Sequence, residues 1–428
     1  MTSQTDQSQQ QQQQQAPAPI LPGALGYLRV LDLSRILAGP WASQLLADMG
    51  ADVIKVERPE GGDDTRGWGP PWLQDTEGRD TDISAYYLCA NRNKRSLAID
   101  LASPQGQALI RRLAAESDVL IENFKVGGLA RYGLDYASLK ALNPRLVYCS
   151  ITGFGQDGPY AMRAGYDFMI QAMGGLMSLT GRPDGEPGGG PMKAGVALTD
   201  ILTGLYASNA ILAALAWRER SGEGQHIDMA LLDVQVASLA NQAMNYLTTG
   251  HNPQRLGNAH PNIVPYQEFP TADGYMILAI GNDGQFARFC AEAGQPALAE
   301  DTRFATNRAR VSHRTELIPL LRRLTVERST ADWITALEAR AVPCGPINTL
   351  ADVFADPQVQ ARQLHQTLPH PVAGGIPTIA SPLRLSATPA GYRRAPPLLG
   401  EHTDEILAER LGLDEAQRQA LRQQRIIR

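Results

Sequence analysis

From Leu28 onward, short apolar runs alternate with helical runs at a spacing that leaves few ways to fold. LRVLDLS, DVIKVE, SLAIDL, DVLIEN and RLVYCSITGFG read as strands. PWASQLLADMG reads as a helix with Pro40 at its start and Gly50 as its cap. PQGQALIRRLAAESD reads as another, with Ala108, Leu109, Leu113 and Ala114 on one side. Strands separated by helices in this way form parallel β-α-β units, so the first half is expected to be an open, Rossmann-like α/β sheet. Ligands of such sheets sit outside the carboxyl ends of the strands. That singles out SRILAGP, ERPEGGDDTRGW, ENFKVGGLARYG and GFGQDGP, whose Arg, Lys and Asn residues suit a phosphate-bearing ligand. NRNKRS, just before the third strand, reaches such a site only by folding back. After the first strand LAGP stands where the dinucleotide fingerprint G-x-G-x-x-G would be, so a nicotinamide cofactor loses support.

With 428 residues the chain exceeds a single hydrophobic core, and two domains are expected. FMIQAMGGLM has helical spacing, and TDILTGLYASNAILAALAWRERSGEG reads as a long buried packing helix with Thr199 or Asp200 as N-cap. GHNPQRLGNAHPNI is polar and loop-like, a plausible boundary. The expected plan is a tail over residues 1–22, a large α/β domain over 23–251, a smaller α+β domain over 252–360, and a segment over 361–428 that returns to complete the large domain. The tail carries a glutamine tract and a Pro-Ala stretch, too polar to order itself, and reads as neither a signal nor a transit peptide. The absence of an apolar run of about 18 residues argues against a membrane span. A net charge of -5 offers no field for nucleic acid. Cys89, Cys149, Cys290 and Cys344 are scattered, which suggests neither disulfides nor zinc and fits a reducing, cytoplasmic setting. The histidines form no ligand-spaced cluster, so no metal is expected.

Between Thr180 and Pro191 the chain reads TGRPDGEPGGGP. Pro-Asp-Gly alone is turn chemistry. Taken with LRVLDLSRILAGPWASQLLADMGADVIKVERPEGGDDTRGW, NRNKRSLAIDL, IENFKVGGLARYGLD, RERSGEGQHIDMALLD and PPLLGEHTDEIL, however, it resembles the class III CoA-transferases, the formyl-CoA transferase and carnitine CoA-transferase group, from about residue 25 to the C-terminus. AHPNIVPYQEFPTADGYMILAIGN and VPCGPINTLADVFADPQV look most like the succinate-hydroxymethylglutarate (succinyl-CoA:glutarate) CoA-transferase branch.

The resemblance implies an interlocked homodimer, no permanently bound cofactor, and a CoA thioester and a small carboxylic acid as substrates. Carried over by position, it puts the nucleophile on Asp184 and CoA-binding positions on Ile36, Leu37, Ala38, Arg58, Ile99, Asn123, Phe124 and Arg131. Gly188, Gly189 and Gly190 read as a cover that excludes water and donates N–H groups to an oxyanion. Leu37 and Thr152 stand where formyl-CoA transferase carries a glutamine and a lysine, and its tetraglycine loop has no counterpart, the nearest region being QRLGNAHPN. Those departures put oxalate and formate in doubt. A carboxylate nucleophile keeps the thioester energy by forming a mixed anhydride and then an aspartyl-CoA thioester. Asp167 and Asp200 are the next candidates for that role, and Arg92, Arg255 and His260 for holding a distal carboxylate. A related 2-methylacyl-CoA racemase group requires a histidine before aspartate where this chain has Tyr166-Asp167. It ranks below the transferase, as does a catalytically silent CoA-binding protein.

Overall fold

The computed structural model describes residues 22–428, so the tail expected over residues 1–22 lies outside the described residues except for Pro22. By its contacts the chain divides into two units. One runs through Ser150 and adds Ala207–Ile227 and Thr367–Arg428; the other comprises Ile151–Tyr206 and Asp228–Gln366.

A six-stranded sheet is built from β1 (Arg29–Asp32), β2 (Asp52–Glu57), β3 (Lys94–Ala98), β4 (Val119–Glu122), β5 (Val147–Thr152) and β6 (His226–Ala230). Its order is β3-β2-β1-β4-β5-β6, the doubly wound arrangement in which direction reverses between β1 and β4. The β1–β2, β2–β3, β1–β4 and β4–β5 pairs are parallel. β1, β2 and β4 are buried almost throughout, as strands with helices over both faces must be.

Helix α1 (Ala38–Asp48) packs on β1 and β2. It approaches so closely that a Cβ on Gly39 would lie 2.3 Å from the Ser34 Cβ, so LAGP does supply the small residue that this crossing needs. Helix α2 (Pro104–Ala115) is capped by Ser103, whose Oγ accepts the Gly106 N–H at 3.0 Å. Leu109, Ile110, Leu113 and Ala114 form its buried side, while Ala108 is exposed. These residues join Leu31, Ile54, Leu97 and Leu120 in one core with Ile406, Leu407, Leu411, Ile426 and Ile427 of the C-terminal segment. Ile99 also bridges antiparallel to Ile427.

The NRNKRS segment is structural. Arg92 is buried against Asp48 at 2.5 Å, Asn93 Nδ2 donates to the same carboxylate at 2.8 Å, and Lys94 and Arg95 already belong to β3. Lys94 Nζ bonds Asp32 at 3.2 Å, the Pro40 carbonyl at 2.9 Å and Asn91 at 3.0 Å. Burial pushes this ammonium down to about 8, against the pull of Asp32.

The second unit contains antiparallel strands Tyr266–Pro270 and Tyr275–Ala279, turning at Asp273-Gly274, with Cys344–Pro346 beside them. Phe269, Met276, Leu278, Phe289 and Trp333 form its core. Residues 151–206 and 228–251 also group with this unit, so the contacts do not divide at the boundary read near 252. The reason is local packing. Helix α3 (Asp167–Met173) lies on helix Leu231–Ala237, and Thr199 Oγ1 donates to Gln235 Oε1 at 2.6 Å.

Helix α4 (Leu198–Ser221) begins at Leu198, which puts Asp200 inside its first turn instead of at the N-cap. Asp167 caps it from a distance in sequence, its Oδ1 accepting the N–H groups of Thr199 at 2.8 Å and Asp200 at 3.2 Å. Contrary to the expectation of a buried helix, Leu205, Tyr206 and Trp217 are exposed. Among the described residues α4 is the one helix long and apolar enough to cross a membrane by length and composition.

Removing one partner of a buried ion pair leaves the other uncompensated, at a cost of about 3–5 kcal/mol. Asp32→Ala and Lys94→Met are therefore each expected to lower the urea unfolding free energy of the first unit by that order, and the double variant Asp32→Ala/Lys94→Met to cost less than the sum of the two.

Candidate active site

The sheet reverses direction at β1 and β4, and there the loop after β1 meets the loop after β4. Asn123 ties them together: its Oδ1 accepts the Arg35 N–H at 2.9 Å and its Nδ2 donates to the Arg35 carbonyl at 2.7 Å. The adjoining Ile36 has φ of 70°, a left-handed conformation that costs a β-branched residue about 1–3 kcal/mol. Asp63 holds it, accepting the Ile36 N–H at 3.3 Å on both oxygens while bonding Lys55 Nζ at 2.8 Å. Burial alone would raise the Asp63 carboxyl, but the Lys55 charge and hydrogen bond outweigh it and bring it to about 2.

Beside this junction lies a cavity of about 250 Å³. Arg58, Ile99, Phe124 and Arg131 line it together with Arg35, Lys55, Asp100–Ala102 and Tyr132. The structure thus brings four of the expected CoA positions into one site. Ile36, Leu37, Ala38 and Asn123 are not in its lining: Leu37 and Ala38 are buried at the start of α1, and Asn123 acts as the clamp between loops. Arg35 and Arg58 share a single carboxylate, Asp64, at 2.7 and 2.9 Å. Two guanidiniums on one acid leave net positive charge facing solvent, a fit for phosphate oxygens. Arg58 is 59% exposed along its side chain, and Arg131 lies over the Tyr132 ring at 4.5 Å. Sequence reading missed Arg35 and Asp63, although both sit in segments it had marked as following a strand; nothing local distinguishes them from surface charges.

Glu122, at the end of β4, receives the Phe124 N–H at 2.8 Å and stands in register with Ser150, which in turn bonds His226 Nε2 at 2.9 Å. Burial pushes this carboxyl up to about 7, the hydrogen bonds from Ser150 and Phe124 opposing it only in part.

In the second unit, the TGRPDGEPGGGP loop closes on itself. The Gly189 N–H donates to the Glu186 carbonyl at 2.8 Å and the Gly190 N–H to the Arg182 carbonyl at 3.4 Å, so these two amides are engaged within the loop and not presented to an oxyanion. Asp184 is 81% exposed and paired with Arg255. Asp200 has the opposite surroundings. Burial first, and then the neighbouring Asp167 charge, push its carboxyl up to about 7. Asp167 is itself well supplied with donors, taking Gln171 Nε2 at 2.7 Å beside the two helix amides. Of the candidates for a distal carboxylate, Arg92 is spent on Asp48, while the His260 ring accepts the Asn262 N–H at 3.0 Å and meets Tyr266 edge-on. Tyr166 precedes α3 and is exposed.

A doubly wound sheet with a cation-lined cavity at its reversal, and a sheltered aspartate in a second unit, agree with an enzyme that handles an acyl thioester of a phosphorylated carrier. The chain belongs to CoA-transferase family III, which matches residues 25–403. It is 58% identical over 385 residues to the succinate–glutarate CoA-transferase of Agrobacterium fabrum, covering 90% of this chain and 95% of that one. It is 45% identical over 388 residues to the succinyl-CoA:glutarate CoA-transferase of Homo sapiens, covering 91% and 86%. Among solved structures, a CaiB/BaiF family protein from Brucella suis superposes with a TM-score of 0.79 at 54% identity, covering 91% of this chain and 100% of that one. The protein is a CoA-transferase, with CoA thioesters as its substrates.

A charge-assisted hydrogen bond is worth about 1.5–3 kcal/mol. Arg58→Gln is accordingly expected to raise KM for acyl-CoA by roughly 10- to 100-fold with a smaller change in kcat, read by initial rates. Glu122 binds its proton more tightly folded than unfolded, so its contribution is favourable at low pH and declines as pH climbs from about 4.5 to about 7. Glu122→Gln should remove that decline, leaving the unfolding midpoint flatter between pH 5 and 8 than in the parent protein.

Proposed function

We propose that the enzyme moves CoA from succinyl-CoA to glutarate or a similar small dicarboxylic acid such as hydroxymethylglutarate, acting as a homodimer in the cytoplasm. The observation that carries the substrate reading is the 58% identity, over nine-tenths of the chain, to a succinate–glutarate CoA-transferase. Arg35, Arg58 and Arg131 are the groups for the CoA phosphates, Ile99 and Phe124 its apolar contacts, and Asn123 the clamp that shapes their loop.

The chemistry needs one carboxylate nucleophile kept from water. It attacks the thioester carbonyl of succinyl-CoA, breaking the C–S bond to give a mixed anhydride and CoA thiolate. The thiolate then attacks the enzyme's own acyl carbonyl, releasing succinate and leaving an aspartyl-CoA thioester. Glutarate attacks that thioester, expelling thiolate again, and the thiolate takes the glutaryl group and frees the carboxylate. No proton is consumed, so no general base is required.

Asp184, on which the family resemblance places this step, is 81% exposed and tied to Arg255, and water would reach its anhydride. Asp200 meets the requirement better. It is a poorly solvated carboxyl at the start of a long helix, and the fixed charge of Asp167 keeps it from being stabilised as a resting anion. We therefore assign the nucleophile to Asp200, with Asp167 as the carboxylate that takes the Thr199 and Asp200 amides at the start of α4 and so positions the Asp200 backbone.

Parallel variants separate the two aspartates. Asp200→Ala is expected to lower kcat for succinyl-CoA:glutarate exchange by at least about a thousandfold and to abolish the hydroxylamine-sensitive acyl-enzyme. Asp184→Ala should keep that acyl-enzyme; its loss there, with Asp200→Ala active, would return the nucleophile to the loop. Because Asp200 must be ionised to attack, kcat should climb with pH through about 7 and then level.

A further inference from the structure

Arg255 is an unusually placed cation of the second unit. Its side chain is only 12% exposed, yet it lies in a polar loop, and its guanidinium is incompletely used. Nη2 donates to Asp184 Oδ1, and Nη1 reaches the Ser178 carbonyl at 3.4 Å. Nε is shielded from solvent and has no partner. A buried donor left unmatched costs about 1–3 kcal/mol, so an arginine held this way calls for an occupant.

The space in front of it is a cavity of about 400 Å³ bordered by Ser178, Asp184, Asn252, Gln254 and Arg255, within the ~300–1,000 Å³ range of small-molecule sites. The asymmetry of the ion pair is informative. Arg255 forms a fixed wall, whereas Asp184 projects from a Pro-Asp-Gly turn into solvent and engages the fork through one oxygen.

The loop that carries Asp184 is also joined to the proposed nucleophile by a chain of hydrogen bonds. The Met192 N–H donates to the Thr180 carbonyl at 2.9 Å, closing the loop's base, and the Ala194 N–H donates to Gln171 Oε1 at 2.9 Å. Gln171 Nε2 donates to Asp167, which in turn receives the Asp200 N–H. On the other side, the Gly257 N–H donates to the Gly181 carbonyl at 3.1 Å, fixing the Arg255 segment against the same loop.

We propose that Arg255 is the specificity residue for dicarboxylic acids, binding the substrate carboxylate remote from the reacting one, and that Asp184 is an internal carboxylate holding this site until substrate displaces it. The proposal rests on the dicarboxylate reading of the substrate given above. A guanidinium fork accepts a carboxylate through two parallel N–H···O bonds, using Nε and one Nη. The incoming acid thereby satisfies the Nε that Asp184 leaves unmatched. A monocarboxylic acid of the same length has nothing to displace Asp184 with, so the site discriminates on the second carboxylate alone.

The test compares glutarate with valerate, its monocarboxylate counterpart, as acceptors from succinyl-CoA and from butyryl-CoA, using the full-length enzyme. From butyryl-CoA, Arg255→Gln is expected to raise KM for glutarate by about 10- to 100-fold and to reduce the glutarate-over-valerate ratio of kcat/KM by the same factor. Arg255→Lys, which keeps the charge and loses the fork, should recover only part of the ratio. Asp184→Asn removes the internal competitor and should lower KM for glutarate several-fold.

An Arg255→Gln enzyme that folds, as judged by an unchanged thermal midpoint, and retains the parental ratio overturns the proposal. So does an Asp184→Asn enzyme that loses exchange altogether, since that assigns Asp184 to the chemistry. A parent enzyme that makes no glutaryl-CoA from succinyl-CoA overturns the substrate reading itself, and this inference with it.

Discussion

The buried Lys55–Asp63 pair is the contact on which the proposed CoA site depends. Lys55 stands on the second strand of the sheet, fully enclosed, and reaches both the Asp63 carboxylate and the Ser34 carbonyl. Asp63 in turn secures the backbone of Ile36 and the Thr65 N–H. One ammonium thus fixes the loops after the first two strands relative to each other, in a region where Ile36 would otherwise relax out of its left-handed conformation. The neighbouring Asp32–Lys94 pair does the same for the start of the first helix, through Ser34, Ser43 and the Pro40 carbonyl. Buried charges of this kind are retained only where their hydrogen bonds are well met. Here they hold a preorganised cradle on which Arg35 and Arg58 can be presented to solvent without mutual repulsion, because Asp64 lies between them.

The second unit solves a different problem. An acyl transfer through an enzyme carboxylate fails if water reaches the anhydride, so the group must be sheltered and must not be overstabilised as an anion. In the proposed assignment Asp167 and Asp200 divide these tasks. The first is saturated with donors and fixed as the helix cap; the second is left with little solvation beside it. Two identical side chains thus differ through their surroundings alone, burial and then the Asp167 charge raising the proton affinity of Asp200. The exposed Asp184, by contrast, has a partner suited to recognition, and the loop that bears it is stiffened by its own glycine amides.

Much of this was legible in the residues. Alternation of RVLD, DVIKVE, VLIE and VYCSIT with helices anticipated the parallel sheet, because apolar periodicity and turn residues are local signals. The segments after the strands contained Arg58, Asn123, Phe124 and Arg131, and motif similarity gave the family. What could not be read was the division of labour among like residues. Arg92 and Arg58 both lie in polar segments beside a strand, but one is buried against Asp48 and the other faces solvent. The residues offer Thr199 or Asp200 as the cap of the long helix and Asp200 also as a further nucleophile candidate; the cap is Asp167, from a different helix. The boundary near residue 252 marked a real change in composition, while the contacts follow the packing of helix Asp167–Met173 on Leu231–Ala237 instead.

Sequence alone therefore determined the sheet, its ligand-bearing edge and the transferase family, all of which follow from short-range patterning and ordered motifs. Tertiary structure alone decided which aspartate is sheltered, which arginine faces solvent, and that the Arg255 guanidinium keeps an unmatched N–H. Those are properties of burial and of partners distant in the chain, and a side chain's free energy depends on the dielectric and donors around it, which no stretch of neighbouring residues specifies.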